Sequence, residues 1–240
     1  MTALPSYQTP YVIRRSTRAR RSRLTVTEDG HAVVILPLRA PEIEAAELVL
    51  RHRRWIARHV ARMHNRNAAL AARPSLDTGR QILFQGVRQR VVVTTSLVRA
   101  RSTVEIVAGE SLLVMRSARE PRSTADILEA WFRARAREAV GERVAARADE
   151  MGLTPRQLTI RDQRTRWGSA SHRGTLSFSW RLMMCAPWVL DYVVVHELAH
   201  LKVSGHSRAF WRVVDRHFAD SRGARRWLRE HHDEIRHALN

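Results

Sequence analysis

The run Trp188-Val-Leu-Asp-Tyr-Val-Val-Val195 passes without a break into His196-Glu-Leu-Ala-His200. This junction constrains the fold more than any other part of the 240-residue chain. The run is apolar enough for a buried helix, and Pro187 suits the first helical turn, where its missing N–H costs nothing. If that helix runs from Pro187 to about Val203, His196 and His200 project from one face, one turn apart. A core helix carrying His, Glu and His on one turn must satisfy those groups, because unpaired buried polar groups are costly. A metal ion does so.

Two imidazoles at this spacing both reach one tetrahedral zinc ion at about 2.0–2.1 Å. Glu197, beside the first histidine, is placed to act on a water at the metal rather than to ligate it. His206 follows at a distance that lets the chain leave the helix, turn and return a third imidazole; a C-terminal cap or a solvated histidine is the alternative. Three protein ligands with an open fourth position mark a catalytic rather than a structural site, so one Zn2+ per chain is expected. Asp215 and Asp220 are the reserve ligands. The spacing is similar to the metzincin pattern, but Val203 stands where that pattern needs glycine and the nearby glycine is Gly205. All six methionines lie at or before Met184, so no methionine turn follows the helix.

Three blocks between Arg164 and Trp211 carry a closer resemblance: Arg166-Trp167-Gly168-Ser169, the helix from Asp191 to Lys202, and His206-Ser207 with Phe210-Trp211. In these the chain resembles the YgjP-like metallopeptidases, relatives of the SprT-like proteases. The resemblance implies His196, His200 and His206 as zinc ligands and Glu197 as catalytic base. Ala170 and Ala199 stand where cysteine is frequent in the family. Neither position is needed for ligation or base catalysis. The N-terminal half matches only in general layout.

Alternation of polar and apolar residues predicts strands over 11–16, 22–27 and 31–36, with Glu28-Asp29-Gly30 as a hairpin turn. A helical stripe follows from Pro41 to about Asn67, then a loop over 68–78 containing Pro74. Strands are predicted at 81–85, 89–95, 103–107 and 111–116, with Gly86 and Gly109 at turns. A second long helix spans Ser123 to Met151, with Gly152 as its C-cap. A small meander (157–161, 164–169, 175–180, turning at His172-Arg173-Gly174) leads to the motif helix, and helices near 207–219 and 222–238 end the chain. This order argues α+β: a β-rich region with one long helix over 1–120, then over 121–240 a zincin-like core whose active-site helix packs beside a small antiparallel sheet.

Net charge is +19, and Lys202 is the only lysine. Such a surface attracts polyanions, and weak non-specific nucleic-acid binding through the arginines is one reading. The other is that arginine serves wherever a solvated base is wanted, which the spread of arginines along the whole chain favours. The densest cluster, Arg14, Arg15, Arg18, Arg20, Arg21 and Arg23, suggests an exposed strand with one basic face. Cys185 is the only cysteine, which excludes an internal disulfide and fits a reducing compartment. No signal peptide or membrane span is apparent, so a cytoplasmic location without membrane association is expected.

In zincins an edge strand beside the active-site helix pairs with an extended substrate. Arg166, Trp167, Gly168 and Ser169 are the candidates for that role, with a peptide or unfolded protein as substrate. Equally, Trp167 is core and Gly168 a bulge or bend. Tyr192, Arg208 and His217 are the candidates for an oxyanion stabiliser. A nucleotide pyrophosphatase, an assignment also attached to the family, is an alternative, but the chain lacks a phosphate-cradling glycine loop and three histidines suit magnesium poorly. A nucleic-acid-binding module with a structural zinc is a third reading, against which Glu197 argues, since a structural site has no use for a base.

Overall fold

The structure, a computed structural model, describes residues 10–107, 111–163 and 165–240; the side chain of residue 78 is not described. Gly109, expected at a turn, and Arg164, expected to open a strand, lie outside the described residues. The chain forms two compact units, Met1–Arg73 and Pro74–Asn240. The division expected at 120/121 falls inside the second unit. There Ile127, Leu128 and Phe132 share one core with Ile82, Leu112 and Val114, so the strands between residues 81 and 117 have no core of their own to separate on.

In the first unit, β1 (Tyr11–Ser16), β2 (Arg23–Val26) and β3 (Ala32–Pro37) form a sheet of order β1-β3-β2. Helix α1 (Ile43–Ala71) covers it, burying Ala45, Val49 and Ile56 with Ala32, Val34 and Leu36. The hairpin turns at Gly30, whose φ of 84° favours glycine. The expected basic strand is instead split, because the arginine cluster runs through the end of β1, a turn and the start of β2.

The second unit begins with β4 (Gln81–Phe84), β5 (Val87–Ser96), β6 (Thr103–Val107) and β7 (Ser111–Ser117), ordered β4-β5-β7-β6. Helix α2 (Thr124–Met151) opens with a capping box, Ser123 and Asp126 each accepting from the other's backbone N–H, and closes on Gly152 at φ 63°. Then come β8 (Gln157–Arg161), β9 (Gly168–Ala170) and β10 (Thr175–Ser179), ordered β8-β10-β9. The expected antiparallel meander is corrected here: β10 sits in the middle, parallel to β8 and antiparallel to β9. The same plan recurs in β1–β3 and β5–β7, the third strand lying between the first two. Each sheet is therefore mixed, and the overall class is α+β.

A 3-10 turn (Trp180–Met184) leads to α3 (Pro187–Lys202), which carries the histidine motif. The helix is buried over Val189–Val195 because it is central in the unit, packed against α2, β9, α4 (Arg208–His217) and α5 (Ser221–Glu230). Asp191, the one acidic residue in that stretch, is paired bidentately with Arg147 of α2, at 2.9 Å and 2.5 Å. The lone lysine, Lys202, donates to the Met151 carbonyl at 2.6 Å, tying the end of α3 to the end of α2. The last expected helix is interrupted at His231, giving α5 and a short α6 (His232–Arg236).

Candidate metal and active site

The i, i+4 spacing on α3 puts His196 and His200 side by side, their ring centroids 4.9 Å apart. Helix α3 ends at Lys202, Val203 is extended, and Gly205 at φ 72° turns the chain back. This brings the His206 ring to 5.1 Å from His196 and 4.8 Å from His200. The turn is built from an extended residue at 203 and a left-handed glycine at 205, which is why Val203 is tolerated. Ser207 then caps α4 by accepting from the Phe210 N–H. The Phe210 ring stacks on His200 at 4.4 Å, walling the cluster from behind.

One ring nitrogen of each of the three histidines lies within 4.8 Å of the other two. The Nε2 atoms of His206 and His196 are 3.2 Å apart. Two nitrogens on a tetrahedral zinc are separated by about 3.4 Å for bonds near 2.05 Å. Two lone-pair nitrogens this close repel unless a proton or a cation lies between them. The opposite ring nitrogens are engaged in the way metal-binding histidines require. His200 Nδ1 is 3.4 Å from the Val203 carbonyl, which only accepts, so Nδ1 carries the proton and Nε2 is free. His196 Nδ1 is 3.3 Å from the Tyr192 hydroxyl. Burial, with the neighbouring His200, His206 and Arg225 acting in the same direction, holds the His196 pKa down at about 3. Burial likewise lowers that of His200. Neutral imidazole is the ligating form, so the residues present fit a metal ion.

Glu197 follows His196 on the same turn of α3. Its carboxyl is buried, and burial pushes its pKa up to about 7, against the pull of Arg166. Its side chain lies directly on Gly168 of β9: a Cβ there would meet Glu197 Cγ and Oε1 at 2.7 Å. Gly168 is thus neither a bulge nor a bend. It is a strand residue, paired with Phe178, whose missing side chain makes room for the carboxyl.

The histidines and Glu197 open on a cavity of about 850 Å3. Arg166, Trp167, Gly168 and Ser169 all line it. Trp167 is also core-packed, its ring under the Arg236 guanidinium at 4.5 Å, so it lines the cavity and packs on the core at once. Arg236 donates to the Arg166 and Gln163 carbonyls, and Arg181 pairs with Asp162 at 3.0 Å. These two buried guanidiniums fix the segment that enters β9. Asp215 accepts from Ser221 and Asp220 caps α5 by accepting from Gly223 N–H, so neither reserve ligand joins the cluster. Of the oxyanion candidates only Tyr192 lines the cavity; His217 pairs with Glu150 at 2.9 Å, and Arg208 opens α4 in solvent. Sequence reasoning missed Arg225, Arg229 and His232 in the lining. They belong to no motif, and only the packing of α5 and α6 brings them in.

Three histidines that could hold a metal ion, beside a buried carboxyl on a buried helix, are what these residues form. The family described as YgjP-like, metallopeptidase domain, matches residues 20–231, and the chain belongs to that family; it is a peptidase-family hydrolase. Among curated proteins no relative matches. The crystal structure of the metallopeptidase zymogen of Pyrococcus abyssi abylysin is similar over 38% of this chain and 90% of its own, at 27% identity and a TM-score of 0.34. Among the described residues no helix is long and apolar enough to cross a membrane.

Proposed function

We propose that the protein is a zinc-dependent peptidase with a zincin-like core over 121–240, in which His196, His200 and His206 hold one zinc ion and Glu197 is the general base. The convergence of three imidazoles beside a buried carboxyl, on a cavity edged by a strand, carries this reading. Zinc held there supplies Lewis acidity, acidifying water and polarising a carbonyl. Glu197 takes the proton from the attacking water and passes it to the departing amine. Gly168 keeps the carboxyl where it is by offering no side chain. β9 is one of the two edge strands of its sheet, so its free side suits an extended peptide held through backbone hydrogen bonds, with Arg166, Trp167 and Ser169 around it. Tyr192 orients His196 through its Nδ1.

Unfolded protein or peptide is the substrate in this reading, and the first division of the sequence (1–120) contributes no residue to the chemistry. The test compares wild type with Glu197→Gln. The variant is expected to keep the fold and about one zinc per chain while losing peptide cleavage by roughly 100- to 10,000-fold. Wild-type protein that binds no zinc, or a variant with unchanged turnover, overturns the reading.

A further inference from the structure

Arg225 and Arg229 stand four residues apart on α5, on one face, and both line the cavity. Arg225 is half-buried. Its guanidinium stacks on Trp211 at 4.3 Å, and its Nε donates to the Ser221 carbonyl at 3.3 Å. The same Trp211 ring is 5.9 Å from both His196 and His206. A fixed cation is therefore held one ring away from a cluster suited to a second cation. Among the described residues neither arginine is in an ion pair. Asp233, the other carboxyl in the lining besides Glu197, contacts His232 at 3.2 Å. Stacking and one hydrogen bond fix the orientation of Arg225 but supply no counter-charge. Arg225 is thus a partly desolvated cation without a counter-charge, and an anion placed between it and the exposed Arg229 is favoured. The planar guanidinium fork matches a carboxylate in two-point contact.

We infer that Arg225 and Arg229 form a subsite for a substrate carboxylate, making the enzyme selective for peptides with a carboxylate close to the scissile bond. This rests on the peptidase reading above. The carboxylate is either an Asp or Glu side chain or the peptide's own C-terminus, and the two sources are separable. One peptide series varies Glu against Gln at each position flanking the cleaved bond. A second varies a free C-terminus against its amide.

Cleavage is measured as kcat/KM with wild type, and binding as fluorescence anisotropy with zinc-loaded Glu197→Gln. Removing the recognised carboxylate is expected to lower both by roughly 10- to 100-fold. That discrimination is expected to shrink to within a few-fold in Arg229→Gln and Arg225→Gln. Arg229 is exposed, so its variant keeps the test valid if loss of the Trp211 stack unfolds the other. Equal cleavage and binding across both series overturns the subsite while Glu197-dependent cutting leaves the peptidase reading standing. Discrimination in binding with no cleavage does the reverse. Discrimination that persists undiminished in Arg229→Gln and in folded Arg225→Gln also overturns the subsite.

Discussion

Replacing Gly168 by alanine tests the link between β9 and the carboxyl of Glu197. The backbone of Gly168 is an ordinary strand residue without positive φ, so alanine brings no backbone strain. The whole effect is steric: the new Cβ meets Glu197 Cγ and Oε1 at 2.7 Å and Cδ at 2.9 Å. Unstrained contact begins near about 3.5 Å, so the carboxyl must retreat by about 0.8 Å. The β9 backbone cannot give way as readily, because Gly168 is buried and registered against Phe178. A displacement near 1 Å of a reacting group costs about 100-fold in rate, or about 2.7 kcal/mol of barrier. The histidines are untouched, and overpacking is expected to cost about 1–3 kcal/mol of stability. The assay is kcat/KM on a cleaved peptide, with zinc content and Tm measured alongside. A variant within about threefold of wild type, at full zinc loading, refutes the claim that Glu197 works from its position on Gly168.

His200→Ala is expected to abolish stoichiometric zinc binding in elemental analysis, since it removes one of three ligands; retained zinc sinks the ligand assignment. Asp191→Asn leaves Arg147 without its bidentate partner and is expected to cost about 2–4 kcal/mol, read as a fall of several degrees in Tm; an unchanged Tm contradicts a structural role for the pair. Burial pushes the Cys185 thiol well above its ordinary pKa. Native protein is therefore expected to show no thiol reactive to an aromatic disulfide reagent, and denatured protein one; fast native labelling contradicts that burial. Nucleoside triphosphates are expected to be hydrolysed no faster by wild type than by Glu197→Gln, and a Glu197-dependent phosphatase rate favours the pyrophosphatase alternative.

Local chemistry made much of the molecule legible in the sequence. The motif helix, its Pro187 start, the Ser123 and Gly152 ends of α2 and the Gly30 hairpin each depend on residues a few positions apart. The i, i+4 rule alone puts His196 and His200 on one face. Strand order was not legible. Alternation identifies a strand but not its neighbour, so nothing local distinguishes a meander from β10 inserted between β8 and β9. The place where the chain divides likewise depends on which apolar faces meet, and α2 meets β4, β6 and β7 as well as α3. Only the tertiary structure sets Gly168 against Glu197, 29 positions away, and folds Arg225 and Arg229 over the same cavity. Those contacts arise from long-range packing of separate elements, and a sequence read along its length carries no record of the distances that packing creates.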